Sequence, residues 1–97
     1  MATMAKKAGA AEAMLKQLAN ARRLMILCSL VQGEQSAGKL AELSGLSHSA
    51  LSQHLAKMRA TKLVISEKRG QHVYYQLAST EVQAILSTLY LIYCRDR

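Results

Sequence analysis

Proline, phenylalanine and tryptophan are absent from this sequence, and cysteine occurs only twice. With four tyrosines as the only aromatics, the core has to be assembled from Leu, Ile, Val, Met and Ala. Two cysteines, Cys28 and Cys94, are too few for a disulfide scaffold and too sparse for a zinc module. The three histidines, His48, His54 and His72, have no cysteine or carboxylate at ligand spacing, so neither a metal nor a cofactor is expected. Acidic residues number six, a thin supply for general acid–base work. A Gly-rich phosphate loop, a Gly-x-Ser-x-Gly elbow and paired carboxylates are all missing, which argues against an enzyme. No stretch approaches the roughly 18–20 apolar residues that span a bilayer. The first residues carry lysines but no apolar core of a signal peptide, so a cytoplasmic location and no membrane partner are expected.

What is present is positive charge. Thirteen Lys and Arg leave the 97-residue chain at +7, with a pI near 9.8. Such a surplus points to a polyanionic partner, nucleic acid before an anionic membrane. The length allows one domain over 1–97, with residues 1–9 expected as a flexible lead-in. A domain this small often leans on a second subunit.

The hydrophobic periodicity predicts mostly helix. A first helix is expected from Ala10 to Leu18, and Asn20 can cap a second. In that second helix Leu24, Leu27, Cys28 and Val31 repeat at i, i+3, i+4 and i+7. Ser36 can cap a short third helix with Leu40 and Leu43 inward, and Gly45 permits a left-handed stop. Ser47 caps a fourth helix running from His48 to about Ala60, with Leu51, Leu55 and Met58 on its inner face. From Leu63 the period changes to that of a hairpin, with its turn at Arg69-Gly70-Gln71. Ser79 or Thr80 caps a last helix to about Cys94. The order α-α-α-α-β-β-α is that of a winged helix-turn-helix, a mainly α fold.

The outer face of the fourth helix carries short, uncharged hydrogen-bonding groups. His48, Ser49, Ser52 and Gln53 suit base edges in a major groove, and Gln53 can address adenine through two hydrogen bonds. His54 suits a half-buried packing role as well as a base contact. Lys57, Lys68 and Arg69 suit phosphates, with Arg69 at the wing tip also able to enter a minor groove. The last helix is apolar over more than one face. Together with the first it forms the expected dimer surface: Leu15, Leu18, Val82, Leu86, Leu89 and Tyr93. By composition and position, inert packing is the default role for Cys28 and Cys94.

Three stretches carry a resemblance. They are Leu15-Lys16-Gln17-Leu18-Ala19-Asn20-Ala21-Arg22-Arg23-Leu24 followed by Ile26-Leu27-Cys28, then Leu46-Ser47-His48-Ser49-Ala50-Leu51-Ser52-Gln53-His54-Leu55, then Val73-Tyr74-Tyr75-Gln76-Leu77. Together they resemble the ArsR/SmtB family of bacterial winged-helix repressors, and within it the thiol-based HlyU/BigR/SqrR branch. The resemblance runs from about residue 11 to residue 94. It implies a homodimer on an inverted-repeat operator in double-stranded DNA. Where metal-sensing members carry cysteines at the start of the third helix, this chain has Ser36-Ala37-Gly38, and its last helix has no histidine. At the end of the fourth helix Lys62 stands where the family has Gly, so a left-handed Lys62 or a modified helix end is expected. The resemblance further implies that Cys28 and Cys94 form a redox switch, bridged by oxidants or reactive sulfur species with release of DNA. A non-switching anti-silencer and a basic protein-interaction module remain as alternatives.

Overall fold

The computed structural model describes residues 2–94. Its elements are α1 (Ala2–Leu18), α2 (Ala21–Ser29), β1 (Gln35–Ser36), α3 (Ala37–Ser44), α4 (His48–Ala60), β2 (Val64–Arg69), β3 (His72–Leu77) and α5 (Thr80–Leu89). A π-helical turn, Tyr90–Cys94, continues α5. The expected winged helix-turn-helix is present, with one strand more than the sequence predicted.

Four helix starts are set by side chains. Asn20 Oδ1 accepts from the backbone N–H of Arg22 and Arg23. Ser36, Ser47 and Ser79 accept from Lys39, Ala50 and Val82 respectively. Each such bond satisfies an N–H that the first helical turn leaves without a partner. Between α3 and α4 the chain turns through Gly45, whose φ of 68° is left-handed and costs a glycine little.

The core gathers Leu18 of α1, Ile26 and Leu27 of α2, Leu40 of α3, Leu51, Leu55 and Met58 of α4, Val64 of β2, and Val82 and Leu86 of α5. This corrects half of the expected dimer surface. Leu18, Val82 and Leu86 lie inside the protomer, at 5%, 3% and 0% exposure, because α1 and α5 both close over the same core. Leu43, expected inward, is exposed. On α2 the deepest residues are Ile26 and Leu27, while Leu24 and Cys28, and Val31 just beyond the helix end, are only half-buried.

The lead-in is helical, contrary to the flexible segment expected over residues 1–9: α1 begins at Ala2. Its Ala- and Lys-rich composition has high helix propensity even though residues 2–13 are all exposed.

The sheet runs β1-β3-β2, antiparallel throughout. β2 and β3 form the wing, with Arg69 opposite His72 across the Gly70-Gln71 turn. β1, two residues long, pairs Gln35 with Tyr75 and Ser36 with Tyr74. Through it the α2–α3 connection is anchored to the wing.

The end of α4 is a left-handed cap built on a non-glycine residue. Lys62 has φ 62°, as the missing glycine implied. Leu63 N–H donates to Met58 C=O and Lys62 N–H to Arg59 C=O, the paired bonds of a Schellman motif.

Candidate nucleic-acid interface and the paired cysteines

The outer face of α4 follows from its own period. At about 100° per residue, the buried Leu51, Leu55 and Met58 define one side. His48, Ser49, Ser52, Gln53 and Lys57 are exposed. His54 is half-buried at the edge between the two faces. Its imidazole is held below the ordinary histidine pKa by desolvation and by the charges of Arg23, Arg22 and Lys57. The exposed polar groups therefore form one continuous surface along nearly three helical turns.

One flank of α4 meets the wing, where the Arg59 guanidinium donates to Ser66 Oγ at 3.3 Å. Lys68 is exposed on β2. Arg69 is placed differently from the phosphate clamp expected of it. Its guanidinium donates to both oxygens of Glu34, at 2.7 and 2.8 Å, and twice to Glu67 Oε1, at 2.6 and 2.9 Å. It also stacks 4.6 Å from the centroid of the Tyr74 ring. These bonds, to Glu34 first, raise the guanidinium pKa above its ordinary value, and Arg69 in turn lowers that of the Glu34 carboxyl. Two carboxylates around one guanidinium leave the wing tip without net positive charge from Arg69. Glu34 carries no signal in the local sequence because it lies 35 positions from Arg69, and β1, which brings it to the wing, is too short to show a period.

The two cysteines meet. Cys28 on α2 is half-buried, Cys94 at the end of the π-helical turn is exposed, and both are free thiols. They line one apolar cavity of about 200 Å³ with Leu24, Met25, Leu89 and Tyr93. Burial, then the hydrogen bond and charge of Cys94, push the Cys28 thiol up to about 11. The π-helical winding matters here. Five residues on from Leu89, an α-helix would turn Cys94 about 140° away, whereas the wider π turn returns it to the same wall of the cavity. Two further bonds tie α5 and its π-helical turn to the chain just after α2: Gln32 Nε2 donates to Tyr90 Oη at 2.8 Å, and Gln83 Nε2 donates to Val31 C=O at 3.1 Å.

A third surface is apolar and uncovered. Leu15 is 57% and Met4 60% exposed on α1. Leu15, Leu18, Ala19, Leu24, Ile85 and Leu89 line a groove between α1 and α5. Tyr93 is 75% exposed beside it in sequence. Among the described residues no group of His, Cys, Asp or Glu is arranged to hold a metal ion, and no helix is long and apolar enough to cross a membrane.

Comparison with known proteins agrees with this architecture. The arsR family of bacterial regulatory proteins matches residues 15–66, from the end of α1 into β2. The transcriptional activator HlyU of Vibrio cholerae is 48% identical over 92 residues, covering 95% of this chain and 85% of its own. The solved structure of reduced HlyU from that organism superposes with a TM-score of 0.90 at 46% identity, covering 98% of this chain and all of the other. The transcriptional regulator YgaV of Escherichia coli is 41% identical over 97% of this chain and 96% of its own. The transcriptional repressor BigR from Xylella fastidiosa superposes with a TM-score of 0.86 at 32% identity, covering 97% of this chain and 96% of the other. This chain is a winged-helix transcriptional regulator of the arsR family.

Proposed function

We propose that this protein is a repressor that binds an inverted-repeat DNA operator as a homodimer and releases it when Cys28 and Cys94 are bridged. The two α4 helices of the dimer enter successive major grooves, with half-sites about one turn apart. His48, Ser49, Ser52 and Gln53 read base edges, while Lys57 and Lys68 hold phosphates. The partner subunit packs on the exposed apolar groove at Leu15, Leu89 and Tyr93.

The observation that carries the switch is the shared cavity, whose wall includes both Cys28 and Cys94. The exposed Cys94 meets a peroxide first. Its thiolate attacks the O–O bond, giving a sulfenic acid and releasing water. The Cys28 sulfur then displaces the hydroxyl as a second water, and a disulfide closes; two thiols are oxidised and one peroxide is reduced. A persulfide donor serves as the oxidant instead: the Cys94 thiolate attacks its outer sulfur, the donor's S–S bond breaks and the donor leaves as a thiol, and the Cys28 sulfur then attacks the inner sulfur of the Cys94 persulfide, closing the disulfide as hydrogen sulfide leaves. The bridge loosens DNA because it fixes the α2–α5 seam, and with it the angle between two reading heads. A tenfold loss of affinity requires only about 1.4 kcal/mol of difference between the two forms.

The test is titration of an operator with reduced and with oxidant- or persulfide-treated protein. Treated wild type should bind more weakly, while Cys28→Ser and Cys94→Ser should keep their affinity and lose the response. Equal affinities with both cysteines demonstrably modified would end the switching reading. One observation favours a second reading, a non-switching anti-silencer that competes for DNA: the Cys28 thiol is protonated at neutral pH and is a poor nucleophile.

A further inference from the structure

α5 packs against α2, and its last turns are tied to the chain just after α2 at two heights. At the upper one Gln83 Nε2 donates to Val31 C=O at 3.1 Å and to Ser87 Oγ at 2.9 Å. At the lower one Gln32 Nε2 donates to Tyr90 Oη at 2.8 Å. Tyr90 is also the residue at which the α-helix gives way to the π-helical turn. A π turn is rare, and α winding is the ordinary continuation of a helix. Gln32 follows Cys28 by four residues, and Tyr90 precedes Cys94 by four. The Gln32–Tyr90 bond and the cavity wall shared by the two thiols are therefore neighbouring rungs of one antiparallel seam, about a helical turn apart. Neither Gln32 nor Tyr90 belongs to the reading face of α4 or to the wall of the thiol cavity.

We propose that Gln32 and Tyr90 are positioning residues for the thiol pair: their hydrogen bond holds the winding of the last turn and so keeps Cys94 in the wall that Cys28 lines. The inference rests on the reading of Cys28 and Cys94 as a pair that is bridged. Cys28 and Cys94 are far apart in sequence, so the chain alone supplies little of their closeness and the fold must supply the rest. A disulfide also requires Cα atoms within about 7 Å of one another. With the bond broken, the last turn is free to wind on as α, which carries Cys94 round the helix and away from the cavity. Each such alternative lowers the effective concentration of one sulfur at the other. A hydrogen bond of ordinary net worth changes an equilibrium by about threefold to tenfold, and bridge formation should respond on that scale. The two side chains take no part in the sulfur chemistry itself.

The readout is the equilibrium between reduced and bridged protein in glutathione buffers, with the full chain. One protein thiolate attacks glutathione disulfide and releases a glutathione thiol; the second then displaces the other glutathione. One protein disulfide forms as one glutathione disulfide is reduced to two thiols. Remaining protein thiols are blocked with iodoacetamide, and the two forms are counted by mass spectrometry. Half-bridging of Tyr90→Phe and of Gln32→Leu should each require a ratio of oxidised glutathione to the square of reduced glutathione about threefold to tenfold higher than for wild type. The double variant should require no more than the larger single effect, since all three lose the same bond. Ser29→Ala, which removes a hydrogen bond to Met25 C=O within α2, should match wild type. A merely structural role for the pair would lower the melting temperature of the reduced protein and leave the glutathione equilibrium at its wild-type value. If wild type forms the Cys28–Cys94 disulfide and both single variants form it at the wild-type ratio, the positioning role is wrong and the switch reading stands. Additive effects in the double variant would also overturn it, because the residues would then not act through their shared bond. If wild type forms no Cys28–Cys94 disulfide in any of these buffers, the switch reading fails and the positioning role with it.

Discussion

Glu34 and Arg69 are joined by two parallel hydrogen bonds, Nη1 to Oε1 at 2.7 Å and Nη2 to Oε2 at 2.8 Å. The pair ties the connection after α2 to the tip of the wing, and Glu67 adds a second carboxylate to the same guanidinium. A residue that by position should meet DNA is instead held against its own protein. Glu34→Gln removes one side of this latch. The variant should bind duplex DNA more tightly than wild type, with a steeper salt dependence, because Arg69 is then neutralised by Glu67 alone and a repelling carboxylate is gone. Adding Arg69→Ala should cancel the gain. Anisotropy titrations of the two variants check both effects, and an unchanged affinity for Glu34→Gln would mean that Arg69 does not reach phosphates in either state.

The latch also has a pH dependence of definite sign. Arg69 holds the Glu34 carboxyl below the ordinary glutamate range. The contact is fully formed above that range and is lost as pH falls through the lowered value. Acid should therefore loosen the wing from the α2–α3 connection well before the core responds. Hydrogen exchange at Gln35 and Ser36, followed against pH, reads this directly, and protection that survives to the pH of global unfolding would contradict it.

Lys62 sits at φ 62° in the Schellman cap of α4, where a glycine meets no steric penalty. Lys62→Gly should raise the stability of the chain by about 1 kcal/mol, since a left-handed non-glycine residue costs roughly 1–2 kcal/mol and glycine returns part of that as unfolded-state entropy. Lys62→Val should destabilise it. Thermal denaturation followed by circular dichroism ranks the three proteins.

That cap also shows what the sequence makes legible. Its geometry was implied only by the resemblance, through the family glycine that Lys62 replaces, whereas the Asn20, Ser36, Ser47 and Ser79 caps and the inner face of α4 are legible because they depend on neighbours within one turn. Contacts that depend on distant residues left no trace in the local pattern. The stripe of Leu18, Val82, Leu86 and Leu89 gave no means of dividing core from uncovered surface, and three of the four proved buried. The π-helical turn that returns Cys94 to the wall of the Cys28 cavity follows an α-helical pattern without a break in composition. The helical lead-in was hidden for another reason: residues 2–13 are all exposed, so no apolar stripe marks them and their intrinsic propensity speaks for helix.

The exposed half of α1 bears on assembly. An isolated helix of 12–15 residues is marginal in water, and α1 leaves Met4 and Leu15 uncovered beside the α1–α5 groove. A second copy laid on this groove would bury both. Leu15→Glu and Leu89→Glu should each give a monomer or an aggregate, measured by sedimentation at micromolar concentration. A wild-type protein that sediments as a stable monomer there would remove the dimer from the proposed mechanism.

His54 supplies a protonation test. Desolvation, and after it Arg23, Arg22 and Lys57, disfavour its charged form in the free protein. A phosphate bound among these groups would favour that form. DNA binding should then take up a proton, and affinity should rise as pH is lowered from about 7.5 to about 6. His54→Gln should show a smaller rise than wild type. Equal pH dependences for the two proteins would place His54 in packing alone.

The thiols should differ in reactivity in a way that alkylation resolves. Cys28 is half-buried and its pKa stands at about 11, so its thiolate fraction at pH 7 is on the order of 10⁻⁴. Cys94 is exposed. Treated with iodoacetamide at neutral pH and digested, the protein should carry the label on Cys94 first. The labelling rate of Cys28 should climb about tenfold per pH unit well into the alkaline range, as it follows the thiolate. Burial is the largest cause of the raised value, and the hydrogen bond and charge of Cys94 come after it. Cys94→Ser removes the charge of Cys94 and leaves the burial. In that variant the rise for Cys28 should begin at lower pH than in wild type, but still above that of a free cysteine. A Cys28 that labels as fast as Cys94 in the wild type at neutral pH would show that the cavity neither shields nor deactivates it. Cys28 would then be a candidate for the first attack, and the order of steps proposed for the bridge would have to be reversed.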